Sequence, residues 1–182
     1  RPYWVVLAGG KTCFVTKWWD PVYYQRVIDM TMGRITWVQL GRREHVHFPL
    51  AGTVDLLDRT TIREAFRIIA NAEGVLCPVT FSMHAAAAFN RPCVVVAGGR
   101  EPWWWIAYTQ QTFQASCGRP APDDFVEHRF LHTIGKLPCC ADKGCWRLKV
   151  DSKNKSENCE NVRIGPSIKQ PLCMMMVTPE HV

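Results

Sequence analysis

The sequence predicts an α/β fold, a parallel β-sheet covered by helices on both faces, followed by an irregular cysteine-rich C-terminal appendage. Three observations predict it. Strand-like runs alternate with helical patterns over residues 3–110. Most of those runs are continuously apolar, as strands buried on both faces are, instead of alternating apolar and polar. Five of the nine cysteines, Cys139, Cys140, Cys145, Cys159 and Cys173, crowd into the last quarter of the chain, where that alternation has stopped.

The elements follow in order. Tyr3–Ala8 is a buried strand closed by Gly9, Gly10 and Lys11. A helix is expected over Trp19–Met30, with Asp20 as N-cap, Pro21 at the first helical position, and Val22, Val27 and Ile28 on its apolar face. Ile35–Leu40 is the next strand, followed by the polar turn GRREH and a short apolar patch at Val54–Leu57. A second helix spans Thr61–Ala72, with Ile62, Ala65, Phe66, Ile69 and Ala70 apolar. Then come a strand ending at Cys77, a polar turn at Thr80–Ser82, a helix opening near Met83 and His84, and a strand over Cys93–Ala97 that ends in Gly98 and Gly99. Thr112–Arg129 reads as a punctuated loop and Lys149–Glu160 as a polar, mobile one. The final CMMMVTPEHV suggests a short strand and then a helix capped by Thr178 with Pro179 behind it. A division at residue 112 follows, with a Rossmann-like domain at 1–112 and a loop-rich segment at 113–182 packing on it. Beginning inside a strand without Met suggests the C-terminal part of something longer.

With 182 residues, 47% hydrophobic and 21% charged, the composition is that of an ordinary soluble domain with a real core. No apolar run approaches the roughly 20 residues a bilayer-crossing helix needs, and the start of the chain does not resemble a signal peptide, so a cytoplasmic location is expected. The net charge of +6 comes from scattered Lys and Arg, which argues against nucleic acid and suits an anionic small molecule. An odd cysteine count argues against a secreted disulfide scaffold. Cys77 and Cys93, within apolar strands, are expected to be small buried hydrophobes.

The densest signal is the segment Val75–Pro102, a strand, a short helix and a strand. Open α/β sheets bind ligands where strands end and helices begin, and a helix N-terminus offers free N–H groups to a phosphate. Both loops of this unit fall on that edge, so a phosphorylated small molecule is expected there. Each residue also has a plain role open to it: Lys17 a solvated charge, Thr80 and Ser82 capping groups, His84 a packing residue, Gly98–Gly99 a strand-ending turn, and Trp103–Trp105 a cover over the sheet edge or an interface. In the tail, Cys140, Cys145, Cys159 and Cys173, with Cys139 as alternate, could supply four thiolates to a tetrahedral metal; reduced free thiols or a disulfide are the alternatives.

These residues resemble glycosyltransferase family 9, the ADP-heptose:lipopolysaccharide heptosyltransferase group, over about residues 3–110. The family's nucleotide-sugar-binding domain, one half of a GT-B fold, opens with a strand, a turn, a Lys and a Trp-led helix; here that is VVLAGG with Lys17-Trp18-Trp19. Its next helix is matched by Leu57-Asp-Arg-Thr-Thr-Ile-Arg-Glu64. Its Asp-Thr-Gly-x-x-His turn, Ala-rich helix, Pro and strand are matched by Val79-Thr-Phe-Ser-Met-His84, AAAAF, Pro92 and VVVA before Gly98–Gly99. Two positions depart from the pattern: the family's Asp falls at Val79 and its Gly at Phe81.

The resemblance implies a nucleoside-diphosphate sugar as donor. Gly9 and Gly10 would form the first turn of its site, and Lys17 would neutralise the diphosphate. Thr80, Ser82 and the amides of Met83 and His84 would cradle it, and Gly98–Gly99 would permit close approach of the nucleotide or sugar. The acceptor is a glycan, lipid-linked glycan or protein, the general base lies on a separate N-terminal domain, and the isolated chain is inactive. Some similar protein glycosyltransferases carry a Cys-ligated iron in this region, so a structural zinc or iron is expected on the tail. The alternatives are a degenerate sugar-nucleotide-binding or interaction module without activity, given Val79, and a sugar-nucleotide epimerase of related fold. A homo-oligomer remains open.

Overall fold

A computed structural model describes residues 1–182. Its strands and helices, in chain order, are β1 (Tyr3–Val6), α1 (Pro21–Met30), β2 (Thr36–Gln39), β3 (Thr53–Asp55), α2 (Ile62–Ala70), β4 (Gly74–Pro78), α3 (Phe81–Ala88), β5 (Cys93–Gly98), α4 (Trp103–Ile106), α5 (Gln110–Cys117), β6 (Arg129–His132), β7 (Val162–Ile164), β8 (Lys169–Pro171) and α6 (Leu172–Met175). The first six strands form one sheet in the order β3-β2-β1-β4-β5-β6, every neighbouring pair parallel. β7 and β8 make a separate antiparallel ribbon.

Successive strand residues face opposite sides of a sheet, and this divides the core in two. Val5, Val75, Cys77, Cys93 and Val95 face α2 and α3, meeting Ala65, Ile69, Met83 and Ala86. Val6, Leu76 and Val96 face the other way, onto Trp19, Tyr24, Val27 and Ile28 from α1 and its approach. Cys173, Met174 and Val177 complete that second layer, so the C-terminal segment contributes to the core. Trp19 is buried there and its Nε1 donates to the Val177 carbonyl at 2.8 Å.

The expected cap on α1 forms, and the structure adds a second on α2. The Asp20 side chain accepts from Val22 N at the start of α1, with Pro21 at the first helical position. Thr61 and Glu64 make a reciprocal capping box on α2. Cys77 and Cys93 are buried, their sulfurs 3.7 Å apart across neighbouring strands.

Other expectations are corrected. Thr112–Arg129 is not all loop, because Thr109 caps α5 and the sheet gains β6 after it; Gln, Thr and Ser at Gln110–Ser116 hid a helix that buries nothing. The terminal CMMM run is the short helix α6, not a strand. Val22 and Ile62 are exposed, while Tyr24 faces the core, so the apolar faces of α1 and α2 are each rotated from the sequence pattern. Helix α3 starts at Phe81, two residues before the expected opening near Met83 and His84.

Candidate functional site

The chain runs from β1 outward to β2 and β3, then returns to the other side of β1 at β4, so the strand order reverses between β1 and β4. Loops leaving those two strands diverge, and ligands of such sheets bind in the opening. Here a cleft of about 520 Å³ lies at that carboxyl edge. The loop after β1 supplies Gly9, Gly10, Lys11, Phe14, Lys17 and Trp18; the loop after β2 supplies Gly41, Arg42, His45 and His47. Thr60–Ile62 and Ala65 at the start of α2, Pro78–Phe81 at the start of α3, and Leu7 and Leu40 at the ends of β1 and β2 complete the wall.

Local sequence explains this shape. Gly9 pairs with His47 in an isolated bridge, and a Cβ on Gly9 would strike the Val46 carbonyl. Gly10 N donates to His45 O at 3.1 Å, so the two loops are stitched together. The chain then makes a tight 3₁₀ turn over Thr12–Lys17 that brings Lys17 back to the cleft. Thr16 is buried in that turn and its hydroxyl donates to Arg147 O at 2.6 Å. The Lys17 Nζ sits 2.6 Å from Glu101 Oε1. Across the cleft Thr80 occupies the N-cap of α3 in extended conformation, and its side chain makes no capping bond.

The cleft's charge is one-sided. Lys11, Lys17 and Arg42 line it and no carboxylate does. Burial, reinforced by the neighbouring His45, lowers His47 to about 4, so this histidine is neutral at physiological pH. Burial also lowers His128, again to about 4, against a weaker opposing contribution from the Arg91 backbone. Both therefore take up protons more readily in the unfolded chain, and the stability they contribute is present above the ordinary 6.5 and lost as pH falls toward 4. Between pH 7 and pH 5 each is expected to cost about 2 kcal/mol. Urea unfolding at the two pH values measures this, and His128→Phe should shed a large part of the decline.

Of the residues singled out in the sequence, Gly9, Gly10, Lys17 and Thr80 line the cleft together. Ser82 and Met83 are buried in the first turn of α3, and the Met83 amide already donates to Thr80 O at 3.2 Å. His84 lies outside the cleft lining with its Nδ1 2.7 Å from the Tyr108 hydroxyl. Gly98 and Gly99 serve a different neighbour. A Cβ on Gly98, whose φ is +61°, would meet Met174 Sδ and Cys173 Sγ, and one on Gly99 would lie 2.8 Å from Cys140 Sγ. The close approach they permit is to the C-terminal segment. Sequence reasoning passed over Phe14, Arg42, His45 and His47, and quoted Trp18 as part of a motif without giving it a role; the only signal for Arg42, His45 and His47 was the basic GRREH turn and its neighbour at the end of a strand.

Cys139, Cys140, Cys145, Cys159 and Cys173 all line one small cavity of about 10 Å³, beside Gly99 and Arg100. No three His, Cys, Asp or Glu side chains form a ready ligand set, however, so the expected metal centre is not seen as such. Two of the thiols are otherwise engaged: Cys140 Sγ donates to Thr133 O at 3.5 Å and Cys139 Sγ accepts from Asn161 Nδ2 at 3.5 Å. Burial raises Cys140, Cys145 and Cys159 and pushes Cys173 up to about 12, which keeps the sulfurs protonated.

The model of glycosyltransferase family 9 (heptosyltransferase) matches residues 1–133. The chain belongs to this family. The match ends just after β6, so it spans the whole six-stranded sheet and leaves the cysteine-bearing segment outside. No curated protein matches the sequence. Among solved structures, the Escherichia coli ADP-heptose lipopolysaccharide heptosyltransferase II is similar, with a TM-score of 0.56 at 16% identity, over 100% of this chain and 44% of that one. The likeness is one of fold, and this family 9 chain spans less than half the length of that protein.

Proposed function

We propose that this chain is the donor-binding half of a glycosyltransferase that moves a sugar from a nucleoside-diphosphate sugar to an acceptor hydroxyl. The observation that carries the proposal is the cleft at the strand-order reversal, lined by Lys11, Lys17 and Arg42 with no carboxylate, beside the start of α3, where the Thr80 side chain makes no capping bond. Such a lining suits a diphosphate. When the bond between the anomeric carbon and the diphosphate breaks, its electron pair stays on the leaving oxygen, and Lys17 with the α3 amides neutralises that charge. Gly9 lets the loop after β1 close against Val46 and Gly10 lets it approach Trp18, which shapes this wall of the nucleotide site, and neutral His47 lines the site without adding charge. The base that takes the acceptor proton lies on an N-terminal domain, and the acceptor is a glycan, lipid-linked glycan or protein. The protein works in the cytoplasm, where nucleotide sugars are made.

The five thiols fit a structural zinc or iron in number and convergence, since they come from separate segments onto one cavity of ionic size. Cys140, Cys145, Cys159 and Cys173 would hold it, with Cys139 as alternate, after losing their protons and rotating from their present partners. Its contribution would be to staple the C-terminal segment, with no step of the transfer involving it.

A second reading rests on Val79. This apolar residue lines the cleft where the family pattern has an acid, which suits a module that binds sugar nucleotides and transfers nothing. A thermal-shift panel of ADP, UDP, GDP and CDP with their sugars, run with elemental analysis, tests the proposal. A nucleotide-selective rise in Tm is expected. A folded protein that responds to none of them would refute donor binding.

A further inference from the structure

The donor-site reading uses Lys17 but leaves out the residue that holds it. Glu101 is only 5% exposed and does not line the cleft. Its Oε1 accepts from Lys17 Nζ at 2.6 Å and also from Arg100 Nη1. Arg100 is equally buried, and its Nε donates to Arg147 O at 2.8 Å. Its guanidinium lies 5.2 Å from the centre of the Phe14 ring and 5.6 Å from that of Trp146. The carboxylate is therefore fixed from behind before it meets the lysine.

We propose that Glu101 is a positioning residue that sets Lys17 at the cleft for the donor diphosphate, with Arg100 and the segment around Arg147 anchoring Glu101 in turn. The inference rests on the donor-binding reading above. Two physical arguments support it. A lysine side chain loses considerable rotamer freedom when a ligand immobilises it, and a partner that already holds Nζ removes much of that cost from ligand binding. Glu101 also does not cancel the charge it positions. Two cations share one carboxylate, so the group keeps one net positive charge, and only Lys17 among the three reaches the cleft.

This arrangement makes the sign of one substitution decisive. By Coulomb's law alone, Glu101→Gln removes a negative charge near the site and should tighten binding of an anion. If Glu101 positions Lys17, the same change leaves Lys17 and Arg100 repelling each other, moves Nζ off its mark and weakens binding instead.

The test is calorimetric affinity for whichever of ADP, UDP, GDP or CDP the panel selects, measured against its parent nucleoside. Wild type, Lys17→Ala, Glu101→Gln, Glu101→Asp and the Lys17→Ala/Glu101→Gln double variant are compared. The diphosphate affinity of Glu101→Gln should fall roughly tenfold while nucleoside affinity holds, which also reports that the protein is folded. Glu101→Asp should recover part of the loss, and Glu101→Gln should add little to Lys17→Ala, as expected of two groups acting as one. Should Glu101→Gln fail to fold, Glu101→Asp decides alone, by weakening the diphosphate selectively or not. Unchanged or tighter diphosphate binding in Glu101→Gln, or in Glu101→Asp where Glu101→Gln does not fold, overturns the role of Glu101 and leaves the donor site standing provided that Lys17→Ala does weaken it. Undiminished binding in Lys17→Ala, or no binding of any of the four, takes down both together.

Discussion

Lys17→Ala is expected to weaken binding of the nucleoside diphosphate by roughly 10- to 100-fold, the range of one to two charge-assisted hydrogen bonds. The nucleoside alone should bind as before, because the loops after β2 and β3 that face it are untouched. Folding should change little. Lys17 is partly exposed, and the buried carboxylate it leaves behind still has Arg100. The loss should therefore appear in the diphosphate increment and not in Tm without ligand. Isothermal calorimetry with diphosphate and nucleoside, alongside unfolding of the free protein, separates the two. A fall in both affinities would mean that the loop after β1 had collapsed.

Asp20→Ala is the substitution expected to cost most in stability. Asp20 is fully buried. Its Oδ1 accepts from Val22 N at 3.0 Å and from the Ser167 hydroxyl at 2.5 Å; its Oδ2 accepts from Ser167 N at 2.8 Å and Ile168 N at 3.1 Å. Its own amide donates to the buried Gln170 side chain at 3.1 Å. One residue thus caps α1 and holds the C-terminal segment against it. Truncation leaves three amides and a hydroxyl without their acceptor, a loss of about 3–5 kcal/mol. Asp20→Asn keeps the shape and part of the acceptor capacity, so its cost should be smaller. Denaturant unfolding measures both, with the exposed Val22→Ala as a control expected within about 0.5 kcal/mol of wild type. A near-neutral Asp20→Ala would mean that the C-terminal segment is not part of the cooperative unit.

Much of this was legible in the residues. Continuous apolar runs at Tyr3–Ala8, Val75–Cys77 and Cys93–Ala97 marked central strands because both faces of those strands are covered. Asp20-Pro21 marked the start of α1 because capping is local chemistry. The sixth strand was not legible, since Arg129–His132 is an edge strand whose residues are at most partly buried and so lack the apolar signature. The last helix was missed for the opposite reason: Cys173 and Met174 are buried by contacts with Trp19 and Val96, far away in sequence.

The site divided in the same way. Gly9, Gly10, Lys17 and Thr80 sit at ends of elements that the apolar pattern itself locates, and they meet in the cleft. Gly98 and Gly99 looked like part of that site because strand-ending glycines permit close approach to anything. What approaches them is Cys140, Cys173 and Met174, which no local pattern could reveal. Arg42, His45 and His47 were read past because a polar turn carries no mark of what it faces. Glu101 was hidden more deeply. Its partner Lys17 lies far away in sequence, and its neighbour Arg100 is held in turn by the Arg147 carbonyl, so only the fold joins them.

The most direct measurement is a crystal structure of the protein with the nucleoside diphosphate that the panel selects. The account predicts the diphosphate within hydrogen-bonding distance of Lys17 Nζ, against the first turn of α3, with the base toward His47 and the start of α2. A nucleotide bound elsewhere, or one in this cleft with its phosphates turned away from Lys17, would contradict it.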